Sequence, residues 1–184
     1  MSETPDQPSV VLHGFHGGIV NNAKVAQRLA TVILNAVEGP GRGAACRPLA
    51  AKDHGDRWLI TCTDSDASNI RSVDIRKSNA AVRFLGIKGP PQVLPNEDAA
   101  EKFAAILAEN AGDADEVSQQ SPFVVTDRGD AWFVRGSRNA DRTFEGPFRL
   151  EVQKRDARVL DMCFEGVLHV PPEVTAALRK QKGA

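Results

Sequence analysis

Asp53-His54-Gly55-Asp56-Arg57-Trp58 and Asp127-Arg128-Gly129-Asp130-Ala131-Trp132 are the same turn written twice, 74 positions apart, and they hold both tryptophans of the 184-residue chain. The correspondence spreads outward from them. Upstream, Ala26, Leu29, Ala30, Ile33 and Val37 stand 74 positions before Ala100, Phe103, Ala104, Leu107 and Ala111. Downstream, Ile75, Lys77 and Val82 match Val152, Lys154 and Val159 at a spacing of 77, so one loop of the second copy is three residues longer. A scaffold repeated without a repeated reactive group points to binding rather than catalysis.

The apolar positions 26, 29, 30, 33 and 37 follow the spacing of one helical face, with Asn21 or Asn22 as a cap and Gly39-Pro40-Gly41 as a stop. Two short strands then flank the Asp53–Asp56 turn. In the second of them Trp58, Ile60 and Cys62 alternate with Leu59 and Thr61. Val73 and Ile75 mark a third strand, Ser78 and Asn79 a turn, and residues 82–87 a fourth strand. Gly89-Pro90-Pro91 closes this copy, because paired prolines continue neither a helix nor a central strand. The order then restarts. Asn96 caps a helix to about Ala111 that carries Glu97 and Asp98 in its first turn, and strands near 122–126, 131–136, 147–154 and 158–164 follow.

Neither a one-faced helix nor a one-faced sheet buries its apolar side alone. The expected fold is therefore α+β with an internal duplication, each copy one amphipathic helix packed on a curved, about four-stranded antiparallel sheet. The expected boundaries are an N-terminal tail and strand over 1–20, a first repeat over 21–89, a second over 90–166, and a short C-terminal helix and tail over 167–184. Two lobes related by a pseudo-twofold axis are favoured over one continuous sheet.

The composition is that of an ordinary globular chain, 41% hydrophobic and 26% charged, and a formal net charge of −1 gives no reason to expect nucleic acid or an anionic membrane as partner. Residues 1–88 carry 11 basic and 8 acidic side chains and residues 89–184 carry 12 and 16, so the second half would suit a basic partner. Cys46, Cys62 and Cys163 show no zinc or redox spacing and read as reduced, mostly buried thiols. No secretory leader and no membrane-spanning run is read from the sequence, so a cytoplasmic location is expected.

Each residue with chemical potential has a plainer structural explanation. The tryptophans alternate as core residues. Asp53, Asp56, Asp127 and Asp130 flank a turn glycine and bond nearby amides. His13 and His16 lie among glycines, Gly39 to Gly43 lacks the strand and lysine of a phosphate cradle, and Cys46 beside Arg47 lacks a base. No catalytic, cofactor or metal residue is assigned. What remains are charged loops that differ between the copies, where a shared scaffold would place recognition. They supply the partner-binding candidates Asp64, Asp66, Asp113, Asp115, Glu116, Arg138, Asp141, Arg142 and Glu145.

On Pro122-Phe123, Trp132-Phe133-Val134-Arg135-Gly136, Gly146-Pro147 and the hairpin from Lys154-Arg155-Asp156 to Val159-Leu160, the chain resembles the nuclear-transport-factor-like immunity family of bacterial toxin systems. The first copy keeps Pro48-Leu49, Trp58-Leu59-Ile60 and Ile75-Arg76-Lys77, with Thr61-Cys62 in place of the strand glycine, and both copies lack the family's hairpin glycine. The resemblance implies a cone-shaped α+β fold, no enzyme activity, and neutralisation of a cognate toxin of a type VI secretion or polymorphic toxin system by occluding its active site. It leaves a homodimer open. Two other readings are a small-molecule-binding or enzymatic cone-shaped domain, with polar residues converging inside the concavity, and a regulatory dimerisation module with an apolar outer sheet face.

Overall fold

A computed structural model describes residues 18–46, 49–62, 72–85, 90–112, 114–137 and 148–163. Helix α1 (Ala23–Glu38) and a single turn α2 (Arg42–Ala45) precede strands β1 (Leu49–Asp53), β2 (Arg57–Cys62), β3 (Ser72–Arg76) and β4 (Val82–Leu85). Helix α3 (Glu97–Ala111) and the short α4 (Ala114–Ser118) precede β5 (Phe123–Asp127), β6 (Ala131–Gly136), β7 (Arg149–Gln153) and β8 (Val159–Cys163). The strands form two four-stranded antiparallel meanders, ordered β1-β2-β3-β4 and β5-β6-β7-β8. The expected strand at 10–15 and terminal helix near 171–178 lie outside the described residues.

The helices start for the same local reason. Asn22 Oδ1 accepts the Val25 amide at 3.0 Å, and Asn96 Oδ1 accepts the Ala99 amide at 2.9 Å. Gly39 ends α1 with φ 107°, its amide donating to Asn35 O. Each helix lays its apolar stripe over its own sheet, so Leu29, Ile33, Phe103 and Leu107 are fully buried among Ile60, Val73, Val134 and Leu150. Cross-strand pairs such as Trp58–Ile75 and Trp132–Val152 show both indoles on that buried face.

The units meet in one continuous core, with α1 against α3. Asn110 Nδ2 reaches across to donate to Ile19 O at 2.9 Å. At the hairpin tips the contact is reciprocal: the Val82 amide donates to Asp156 O and the Val159 amide to Asn79 O, each at 2.8 Å. These are equivalent atoms of the two hairpins, so the bonds are what a twofold relation between the units requires. The missing hairpin glycines reappear here as Ala80 and Ala157, with φ 57° and 54°. A left-handed alanine costs about 1 kcal/mol or more. Both methyls are fully buried at the junction, which returns a comparable amount, about 0.8 kcal/mol per buried carbon.

One sequence expectation is corrected and one element is added. The added element is α2, which follows the glycine stop, and the Gly43 amide donates to Asn35 Oδ1 at 2.8 Å. A side chain at Gly43 would collide with the backbone of Thr31. Four residues are too few for a periodic signal. The corrected expectation concerns Cys46 and Cys62, which are not reduced thiols: α2 brings Cys46 to the end of β2, with Cα atoms 5.0 Å apart, and the two are joined in a disulfide. Among the described residues no helix is long and apolar enough to cross a membrane.

The equivalent tie in the second unit is made without sulfur. Gln120 ends the segment after α4 and lies over Gly136, its Oε1 accepting the Phe148 amide at 2.7 Å. The cysteines are 16 positions apart, so removing the bond by Cys46→Ser with Cys62→Ser should lower stability by about 3 kcal/mol, the loop-closure value for a ring of that size. Urea unfolding of the double variant, and of the wild type with and without reductant, measures it. An unchanged midpoint in all of them would mean that the bond contributes no stability in solution.

Candidate functional site

The repeated turn builds a compact tie in each unit. Asp127 Oδ1 accepts the Gly129 amide at 2.8 Å and also the Lys154 ammonium at 2.6 Å, and that ammonium sits 4.0 Å from the centre of the Trp132 ring. The indole N–H donates to Leu94 O at 2.9 Å, while the Leu94 amide donates to Lys154 O at 3.0 Å. In the first unit Asp53, Lys77, Trp58 and Val20 make the same contacts, with Lys77 Nζ 2.7 Å from Asp53 Oδ1 and Trp58 Nε1 2.9 Å from Val20 O. The aspartates thus do cap turn amides as expected, and they do a second thing: each holds the cation that covers a tryptophan. The lysine hydrogen bond, then the turn amide, hold the Asp53 and Asp127 carboxyls below the ordinary aspartate range.

The concavity under each helix is closed by side chains. Trp58 and Trp132 are nearly buried, and among the described residues the buried polar or charged ones are Asp74, Gln120 and Lys154. Asp74 belongs to the outer face of the first sheet, where Arg83 Nη2 is 3.3 Å and Arg57 Nη1 3.7 Å from its carboxylate. On the outer face of the second sheet the Arg128 guanidinium covers Phe133 at 4.0 Å and lies 3.4 Å from Glu151.

Open space lies at the junction of the units. A cleft of about 960 Å³ runs between β4, the linker that follows it, and the β7–β8 hairpin. Val82, Phe84 and Val93, all buried, make its apolar floor, and Pro90 and Pro91 make one wall. Arg155 and Arg158 line it with Asp130 and Asp156, while Arg83 borders it from the opposite face of β4, its guanidinium 3.3 Å from Asp74. Lys154 also lines the cleft, but its ammonium is committed to Asp127 and Trp132. Arg158 gives Nε and Nη2 to Gln153 Oε1 at 3.2 and 2.9 Å, and Arg155 is exposed and forms no ion pair among the described residues. The backbone holds this rim firmly, since the Val93 and Leu94 amides both donate to Lys154 O and the Lys154 amide donates to Asp130 O.

Sequence reasoning did not find this cleft. Its guanidiniums stand in a hairpin that reads as turn chemistry, and Val82 and Phe84 of its floor come from the other unit. Of the candidates drawn from the unequal loops, Asp115 is exposed on α4 and Glu116 belongs to the same helix. Asp64, Asp66, Asp113, Arg138, Asp141, Arg142 and Glu145 lie outside the described residues, as do His13, His16 and His169. Among the described residues, none of the nine candidates lines the cleft.

With this geometry in view, the second unit has a counterpart among known families: residues 99–165, from the first turn of α3 to just past β8, match the family of NTF2 fold immunity proteins. Neither a curated protein nor a solved structure matches the chain.

The depressed carboxyls have a directional consequence. A folded pKa below the unfolded value of about 3.9 contributes stability that is present above that pH and is lost as pH falls toward the folded value. Asp127→Asn should therefore lower the thermal midpoint at neutral pH, where Lys154 loses its counter-charge, and flatten the decline below about pH 5 relative to wild type. Parallel acid limbs in the two proteins, measured by thermal melts across pH, would show that the Asp127–Lys154 pair carries no linkage.

Proposed function

We propose that this chain is an immunity protein that neutralises a cognate bacterial toxin, of a type VI secretion or polymorphic toxin system, by binding it and occluding its active site. The observation that carries the reading is the family match over residues 99–165, which falls on the unit with the fuller motif set. The filled concavity beneath each helix supports it further, since the space a cone-shaped enzyme would use for substrate is occupied here by Trp132, Phe103 and aliphatic side chains. Neutralisation of this kind is stoichiometric and rests on surface complementarity, with a few anchors inside a polar rim.

The same proposal takes residues 21–89 and 90–166 as products of a tandem duplication, flanked by tails at 1–20 and 167–184. The shared Asp-Lys-Trp tie, the matched strand orders and the reciprocal hairpin bonds favour that history. The charged residues of the unequal loops, Asp64, Asp66, Asp113, Asp115, Glu116, Arg138, Asp141, Arg142 and Glu145, are proposed as outer contacts.

Where the neighbouring reading frame encodes a toxic effector, co-expression of this chain with it should restore growth and yield a complex that survives gel filtration. Alanine at Arg138, Asp141 and Arg142 together should weaken that complex and leave the thermal midpoint nearly unchanged. Protection without any physical association would reject neutralisation by binding.

A further inference from the structure

The basic rim of the junction cleft is not needed to build the fold. Its guanidiniums, Arg155 and Arg158, belong to the β7–β8 hairpin, and the β3–β4 hairpin makes the same turn without them. Asn79 Oδ1 accepts the Ala81 amide at 3.1 Å where Asp156 Oδ1 accepts the Arg158 amide at 3.1 Å. Each hairpin donates one equivalent bond to the other. Where the second hairpin carries Arg155 and Arg158, the first carries Ser78 and Ala81. The guanidiniums are therefore additions to a finished scaffold, placed over buried Val82, Phe84 and Val93.

We propose that this cleft receives a short acidic segment of the partner protein, its carboxylates paired with Arg155 and Arg158 and its apolar side chains seated on Phe84 and Pro90. The identity of that partner as a toxin rests on the immunity reading, but the chemistry of the cleft does not. Guanidinium forks match carboxylates in geometry and lose less on desolvation than ammonium groups. A volume of about 960 Å³ holds a few residues of chain. Asp130 and Asp156 interrupt the positive rim, which disfavours a continuous polyphosphate, and a net charge of −1 gives the molecule no general attraction for one. A protein segment that alternates acidic and apolar side chains meets both the rim and the floor. This reverses the expectation from overall charge that the second half would face a basic partner: the local charge of the cleft, not the sum over residues 89–184, decides the preference.

The test is a fluorescence-anisotropy titration of the full chain with a labelled peptide of alternating Glu and Leu, beside the same peptide with Gln for Glu. The Glu peptide should bind about tenfold tighter or better, and lose that advantage in high salt. Arg155→Glu, at an exposed position with no ion pair to break among the described residues, should weaken it about tenfold, and adding Arg158→Glu should weaken it further. Lys52→Glu makes the same charge change on β1, at the far edge of the first sheet from β4, and should leave binding intact. Equal affinity for the two peptides, full binding by Arg155→Glu, an equal loss in Lys52→Glu, or tighter binding of a single-stranded oligonucleotide would each overturn the assignment. Co-expression with the toxin separates the two levels. Peptide binding with this charge dependence but no protection rejects the immunity reading and keeps the cleft; protection by Arg155→Glu/Arg158→Glu that equals wild type rejects the cleft and keeps the immunity reading.

Discussion

An indole N–H that donates to the carbonyl just ahead of a helix is the contact on which this architecture depends. Trp58 binds Val20 O and Trp132 binds Leu94 O, and each ring is covered by a lysine held by the aspartate of the preceding turn. One side chain thereby fixes three separate stretches of chain: the β-turn, the hairpin that carries the lysine, and the approach to the helix. Burial alone would leave the helix free to slide over its sheet, because apolar contact is not directional. The hydrogen bond removes that freedom. The lysine closes the arrangement from outside, and its own backbone carbonyl accepts the amide of the residue whose carbonyl binds the indole.

The elements of this frame were legible in the sequence because they are periodic or punctuated. Asn22, Asn96 and the apolar stripes announced both helices, and the D-x-G-D-x-W turns announced the strands on either side. The Asp–Lys and Trp–carbonyl contacts were not legible. They join residues 24 to 38 positions apart whose proximity exists only after the sheet has formed. The disulfide was missed for the same reason: Cys46 and Cys62 share no motif, and α2, too short for a periodic signal, is what carries one to the other. The cleft was not legible either, because it forms only where two ordinary hairpin tips and a proline pair meet.

Matched backbone contacts with unequal side chains recur across the two units, although β7–β8 carries a register shift between Glu151 and Val152 where β3–β4 has none. The hairpin tips exchange the same pair of bonds, yet one is neutral and the other basic. The outer sheet faces differ likewise, with Asp74 between two arginines on one and Arg128 over Phe133 on the other. Such differences cost the scaffold little, because the contacts that define it run through the backbone and the buried face. A frame of this kind lets one surface change its chemistry while the other half keeps the geometry in place.

The ties at Cys46–Cys62 and Gln120–Phe148 give that asymmetry a further meaning. The first of these ties is sensitive to the electron supply of its surroundings and the second is not. A thiol-rich milieu would loosen the end of β2 and leave the end of β6 as it was, since a side-chain amide has no reduced form. The junction cleft takes Val82 and Phe84 of its floor from the first half, and Val93 and its guanidinium rim from the second. Its two walls would then rest on supports of different durability, and the β4 part of the floor would be the one to soften first.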